Sequence, residues 1–262
     1  MIVIRRSAER QHDRLHHQEV WHTFSSTSPQ LESGANFGTL VAIDEVKLSP
    51  NAGLPHHEPK GSQIVTWVRE GSLNYEDSTG RDGLIRAGEF QCMTFGKGVR
   101  HREGNGSKSE PALLLQVWLE QGPHLVPSNS AQRRFSVAER HGSLCMVASP
   151  DGRKGSLLLS DGAVLYSAFL SPGQHIAHEL TAGRSAWLHV VRGHLNLNDH
   201  LLDAGDGAGF SGERAVSVTS IDESELLLID LGAPPTVGEL DDVKRDRPKH
   251  DGVTNGVHHS PP

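Results

Sequence analysis

Apolar positions in this chain fall in short runs and alternations, and no long window carries a helical period. Between about 40 and 120 the runs are Ile64-Val65-Thr66-Trp67-Val68, Ser72-Leu73-Asn74-Tyr75, Gly83-Leu84-Ile85 and Leu113-Leu114-Leu115-Gln116-Val117-Trp118. Short runs rich in β-branched and aromatic side chains, separated by turn residues, predict strands. Ser78-Thr79-Gly80-Arg81-Asp82-Gly83 and Arg86-Ala87-Gly88-Glu89 supply the turns. The pattern predicts an all-β fold.

The pattern also repeats. Leu48-Ser49-Pro50 recurs as Leu170-Ser171-Pro172, an offset of 122. At that offset Val68-Arg69-Glu70-Gly71-Ser72-Leu73-Asn74 lies over Val190-Val191-Arg192-Gly193-His194-Leu195-Asn196. Further on, Arg86-Ala87-Gly88-Glu89 has its counterpart in Asp203-Ala204-Gly205-Asp206, where the offset has dropped to 117, as one shorter hairpin loop would cause. Self-similarity of this kind predicts a duplicated unit, hence two β-barrels or sandwiches packed together. The expected division is a first unit over 1–125, a linker over 126–143 rich in Pro, Ser and Asn, and a second unit over 144–232. Residues 233–262 are polar and turn-rich with no periodic apolar face, and are expected to form a disordered tail.

Composition fits this picture. The 262 residues suffice for two ordinary domains, and 35% hydrophobic content suffices for packed cores. Twenty-eight glycines and 14 prolines favour many turns. A net charge of -7 argues against a nucleic-acid partner held through phosphates. No apolar run approaches the roughly 18 residues that a membrane-spanning helix needs, and MIVIRRSAER has no secretory apolar region. Cys92 and Cys145 have no CxxC spacing, which fits a reducing compartment. The expectation is a soluble, cytoplasmic protein without a membrane partner.

The 17 histidines direct attention to metal chemistry, although several stand in polar surroundings. In His101-Arg102-Glu103 an extended strand puts His101 and Glu103 on one side and Arg102 on the other. With His57 from a neighbouring strand they make two imidazoles and a carboxylate, a set used by non-haem Fe(II) oxygenases with open coordination positions. A second reading stands beside it: His56-His57, between Pro55 and Pro59, as an exposed loop, and His101-Arg102-Glu103 as a salt-bridged surface strand. The second unit has Glu179 at the position of His57 and no His-x-Glu after Gly205-Asp206-Gly207-Ala208, so any site belongs to the first unit. His175, His178, His189, His194 and His200 are then surface or packed side chains. Trp67, Phe90, Phe95 and Trp118 either fill the first unit's interior or line a pocket for a flat ligand, core packing being the simpler role. Cys92 is read as a small buried side chain.

Gly53 to His57, Ile64 to Val68, Glu70-Gly71, Asp77-Ser78, Arg86 to Met93 and Gly96 to Glu103 together resemble the pirin family of bicupins. Trp21-His22-Thr23-Phe24-Ser25 is similar to that family's early motif, and the stretch from Leu165 to Leu231 to its second cupin. The resemblance covers about 1–232. It implies two antiparallel jelly-roll β-barrels and one mononuclear divalent metal, commonly Fe(II), in the N-terminal one. It further implies, for some members, opening of the flavonol quercetin by O2, and for others a role as protein partners of regulators or enzymes. The family's ligands are three His and one Glu; this chain supplies His57, His101 and Glu103, and Glu103 would also accept a substrate proton. At the fourth position stands Pro59, which has no donor atom, and Gln63 stands where an acidic residue is usual. Two expectations follow: a metal-dependent dioxygenase taking a small aromatic substrate and O2, or a non-catalytic binding protein with a weakened site.

Overall fold

The computed structural model describes residues 1–15, 17–24, 36–54, 62–94, 99–120, 129–159 and 162–232. The expected tail, 233–262, lies outside them. The described chain is mostly strand, with one α-helical turn, Val137–Arg140, and two short 3-10 turns. Among the described residues pairing is antiparallel except for a short parallel contact of Cys145–Ser149 with Leu157–Leu158 and an isolated parallel bridge between His141 and Phe169.

Four sheets build two similar units. In the first, a seven-stranded sheet runs Asn129–Arg134, Glu89–Thr94, Ser62–Glu70, Ala112–Glu120, Leu40–Leu48, Gln18–His22, Gln11–Leu15, and faces a three-stranded sheet of Asp82–Arg86, Ser72–Asp77 and His101–Asn105. In the second, the order is Ile2–Arg5, Gly207–Ser211, Ser185–Arg192, Ser224–Leu231, Val164–Leu170, Cys145–Ser149, Leu157–Leu158, facing a four-stranded sheet. Each large sheet stays a separate ladder from its small one, so the units are two-layered jelly rolls and not closed barrels. The fold is a bicupin.

The duplication extends to register. Gln116 pairs with Thr66 and Asp44, and Leu228 pairs with Leu188 and Tyr166, which stand 122 positions after Thr66 and Asp44. Asn105 N–H donates to the Ala52 carbonyl as Ser220 N–H donates to that of Gln174. Gly71 and Gly193 both adopt positive φ, 71° and 78°. A Cβ at either would stand 2.5 Å from a backbone oxygen, of Pro111 in one case and Glu223 in the other.

The central strands are apolar on both faces because both are covered. One face of each large sheet meets the other unit. There Leu40, Ile43, Val65, Trp67, Phe90, Leu115 and Val117 pack with Leu165, Trp187, Val191, Leu227 and Ile229 in one core. Each fully buried Leu or Phe in this seam contributes about 2 kcal/mol. The opposite faces fill the interiors of the separate units. Trp67 and Phe90 are stacked at 4.9 Å inside the seam, so their bulk belongs to packing.

The first strand, Ile2–Arg5, completes the second unit's sheet by pairing with Gly207–Ser211. Asn129–Arg134, within the stretch expected as a linker, closes the first unit's sheet on Glu89–Thr94. Each unit thus lends an edge strand to the other.

Candidate metal centre

His101–Asn105 is the strand that carries the candidate chemistry, and its burial alternates as the sequence pattern requires: His101, Glu103 and Asn105 inward, Arg102 outward. Arg102 meets Glu76 at 3.4 Å on the surface. The side chains of His101 and Glu103 are closed off from solvent, with Nε2 and Oε2 3.9 Å apart. The strand is anchored at both sides. Glu103 is registered opposite Tyr75. Its carbonyl accepts from Leu54 N–H at 2.8 Å, and Gly53 bridges to Gly104 where a Cβ would sit 3.3 Å from that carbonyl. Asn105 donates its side-chain amide to the carbonyls of Leu48, Ser49 and Glu110, fixing the end of the strand.

Glu103 reaches across the interior to the large sheet. Gln116 Nε2 donates to its Oε2 at 2.8 Å and to Thr66 Oγ1 at 3.2 Å. Glu103 Oε1 is buried and has no hydrogen-bond partner among the described residues. Burial pushes the Glu103 carboxyl up to about 7, and the hydrogen bond from Gln116 opposes that shift. Ile64 and Met93, with Tyr75, Val99 and Trp118 packed against them, form an apolar cluster on the same interior side. A recess of about 460 Å3 is lined by Glu76, Asp77, Ser78, Arg100, His101 and Arg102.

Of the three residues expected to hold a metal, His101 and Glu103 come together; His57 lies outside the described residues, as do His56, Glu58, Pro59 and Phe95. Among the described residues, no cluster of three or more His, Cys, Asp or Glu is disposed to hold a metal. Gln63 faces away from this interior. It shares the seam-facing side of its strand with Val65 and Trp67, and donates to Thr94 Oγ1 at 2.8 Å and Cys92 Sγ at 3.1 Å. Burial holds the Cys92 thiol up at about 12. Sequence reasoning passed over Gln116 and Thr66: each stands out as the one polar residue in an apolar run, but the run does not name the partner across the interior.

The second unit places valines where the first has its ionisable couple. By the shared register, Val216 and Val218 correspond to His101 and Glu103, and Leu188 and Leu228 to Thr66 and Gln116. His178 is instead paired with Asp230 at 2.8 Å, His194 with Asp222 at 2.6 Å, and His189 is buried in the seam against Glu45 at 3.0 Å.

A duplicated jelly roll with an imidazole–carboxylate couple confined to the first interior defines a bicupin with one candidate metal centre. The sequence matches the profile of the family described as Pirin over residues 4–119, and that of the quercetinase C-terminal cupin domain over residues 146–231. The chain belongs to the pirin family. It is 33% identical over 235 residues to the quercetin 2,3-dioxygenase of Escherichia coli (strain K12), covering 90% of this chain and 100% of that protein. It is 30% identical to a pirin-like protein of Caulobacter vibrioides, covering 80% of this chain and 90% of the relative. Among solved structures, the bacterial pirin YhhW of Escherichia coli in complex with nickel(II) superposes with a TM-score of 0.81 at 32% identity, covering 90% of this chain and 100% of that one.

Proposed function

We propose that this protein is a metal-dependent dioxygenase of the quercetin 2,3-dioxygenase type, opening a flavonol-like substrate with O2. One divalent metal, Fe(II), would be held in the N-terminal unit by His57, His101 and Glu103. The carrying observation is Glu103: a carboxylate closed off from solvent, beside an imidazole, with Oε1 left without a hydrogen-bond partner among the described residues. A buried carboxylate oxygen left unpaired is costly, and a cation is the partner that best repays it. When bound, the metal supplies a Lewis-acid centre with open positions for a substrate oxygen and O2. Glu103 would be the base: its carboxylate, buried beside the imidazole, would take the proton of a substrate hydroxyl. Ile64, Met93 and Trp118 pack as an apolar cluster on the interior side and keep water from Glu103. The name and the nickel complex of the Escherichia coli relatives support the reading.

The test is metal content and turnover together. After anaerobic reconstitution with Fe(II), about one equivalent is expected per chain, with oxygen uptake on adding quercetin. His101→Ala should lose the metal, since it removes one of three protein ligands. Pro59→His, which restores a donor atom, should tighten binding about tenfold or more. Less than about a tenth of an equivalent in the parent protein, with no uptake, overturns the enzyme reading. Pro59 favours a second reading, a non-catalytic bicupin that binds a protein partner; that outcome would leave it standing.

A further inference from the structure

Gln116 lies on Ala112–Glu120, the strand between Leu40–Leu48 and Ser62–Glu70 and so among the most constrained elements of the first unit. Its side chain is buried, and both amide N–H groups are committed: one to Glu103 Oε2 at 2.8 Å, the other to Thr66 Oγ1 at 3.2 Å. An ionised carboxylate only accepts, so the amide must present nitrogen to it, and Thr66 holds the amide in that orientation.

The fold itself supplies a control. In the second unit the same register positions are Leu188, Leu228 and Val218, all buried in an apolar interior. The jelly roll therefore closes without a Thr-Gln-Glu column. The column is present only in the unit that also has the imidazole, so packing alone does not account for it.

We propose that Gln116 is a positioning residue for Glu103: by engaging Oε2, the oxygen that also lies 3.9 Å from His101 Nε2, it fixes the rotation of the carboxylate beside the imidazole that would share the metal. The inference rests on the metal-site reading above. Thr66 acts one step further out, by fixing the amide. An orienting partner of a metal-ligating carboxylate typically changes metal affinity by about 10- to 100-fold when removed.

Co(II), whose visible bands report ligand geometry, is the probe. The variants are Gln116→Met, which keeps the volume and loses both donors, and Thr66→Val, which removes the amide's support. Gln116→Met is expected to raise the Co(II) dissociation constant about 10-fold or more and to shift the visible bands, while circular dichroism and melting stay those of the parent. Thr66→Val should move both readouts the same way by a smaller factor. A folded Gln116→Met protein with parental Co(II) affinity and spectrum overturns the proposal. Should Gln116→Met not fold, Thr66→Val decides: an unchanged affinity and spectrum overturns it, and a weakened, shifted site supports it. A parent chain that binds no Co(II) sinks the metal-site reading itself, and this inference with it.

Discussion

Gln63 and Gln116 are buried amides on neighbouring strands, and the strand alternation gives them unrelated surroundings. Gln116 faces the interior with Glu103; Gln63 faces the seam, against Thr94 and Cys92. An acid restored at position 63 would therefore sit on the far side of the sheet from the candidate metal. Gln63→Glu is expected to leave Co(II) or Fe(II) affinity within about twofold and to cost roughly 1–3 kcal/mol of stability, because it buries a carboxylate beside groups now offering a poorer match. Metal titration and urea unfolding of one preparation measure both; a clear gain in metal affinity would show that position 63 communicates with the site. Residue-level alternation explains what the sequence could disclose. His101 and Glu103 were legible because their strand is regular and two residues apart means one face. Gln116 was not, because a lone amide in Leu113 to Trp118 gives no sign of its partner until the small sheet is folded over the large one.

At the scale of elements, the two exchanged edge strands set what can fold alone. Within 1–125, Glu89–Thr94 lacks its partner Asn129–Arg134, and Ile2–Arg5 has lost Gly207–Ser211. A fragment 1–125 thus carries an open sheet edge, a loose apolar strand and half of an exposed seam, the ingredients of edge-to-edge aggregation. It is expected to run as aggregates on gel filtration, and a monomeric fragment with native circular dichroism would refute this. In the intact chain, deleting residues 1–5 should speed amide exchange at 207–211 about tenfold or more, while 62–70 keeps its protection. Strand positions and the duplication could be read from Gly, Ser-Pro and turn residues, since those choices are local. The exchange could not, because an edge strand's partner is chosen by which exposed ladder lies within reach. The stretch expected as a linker holds a paired strand and a capped helical turn, with Ser136 and Glu139 reciprocally bonded.

At the scale of the whole molecule, the duplication has been used asymmetrically at the seam. Two arginines, Arg10 and Arg140, each follow an exchanged strand and enter corresponding places. Arg140 reaches Ser167 at 3.1 Å and lies 5.0 Å over the Trp67 ring, with Glu225 as its ion partner. Arg10 meets Glu45 at 2.7 Å, and Glu45 also meets His189 at 3.0 Å. Positions 45 and 167, and 67 and 189, are related by the repeat offset of 122, so an ionic cluster on one side answers a hydroxyl and an indole on the other. Burial alone would raise the Glu45 carboxyl, but the bond and charge from His189, and then Arg10, outweigh it and hold the pKa at about 2 against an ordinary 4.5. A carboxylate depressed in the folded state stabilises the fold above its unfolded pKa, and that contribution drains away as pH falls towards the folded value. For Glu45 the window runs from about pH 4.5 down to about 2 and the contribution is about 3 kcal/mol. Glu45→Gln is therefore expected to be less stable than the parent by about 2–3 kcal/mol at pH 7, with the gap narrowing by about half between pH 5 and pH 3. Urea unfolding of both proteins across that range measures it. A gap that stays constant with pH would mean that Glu45 contributes shape and hydrogen bonds but no charge, and that the seam is held by its apolar core alone.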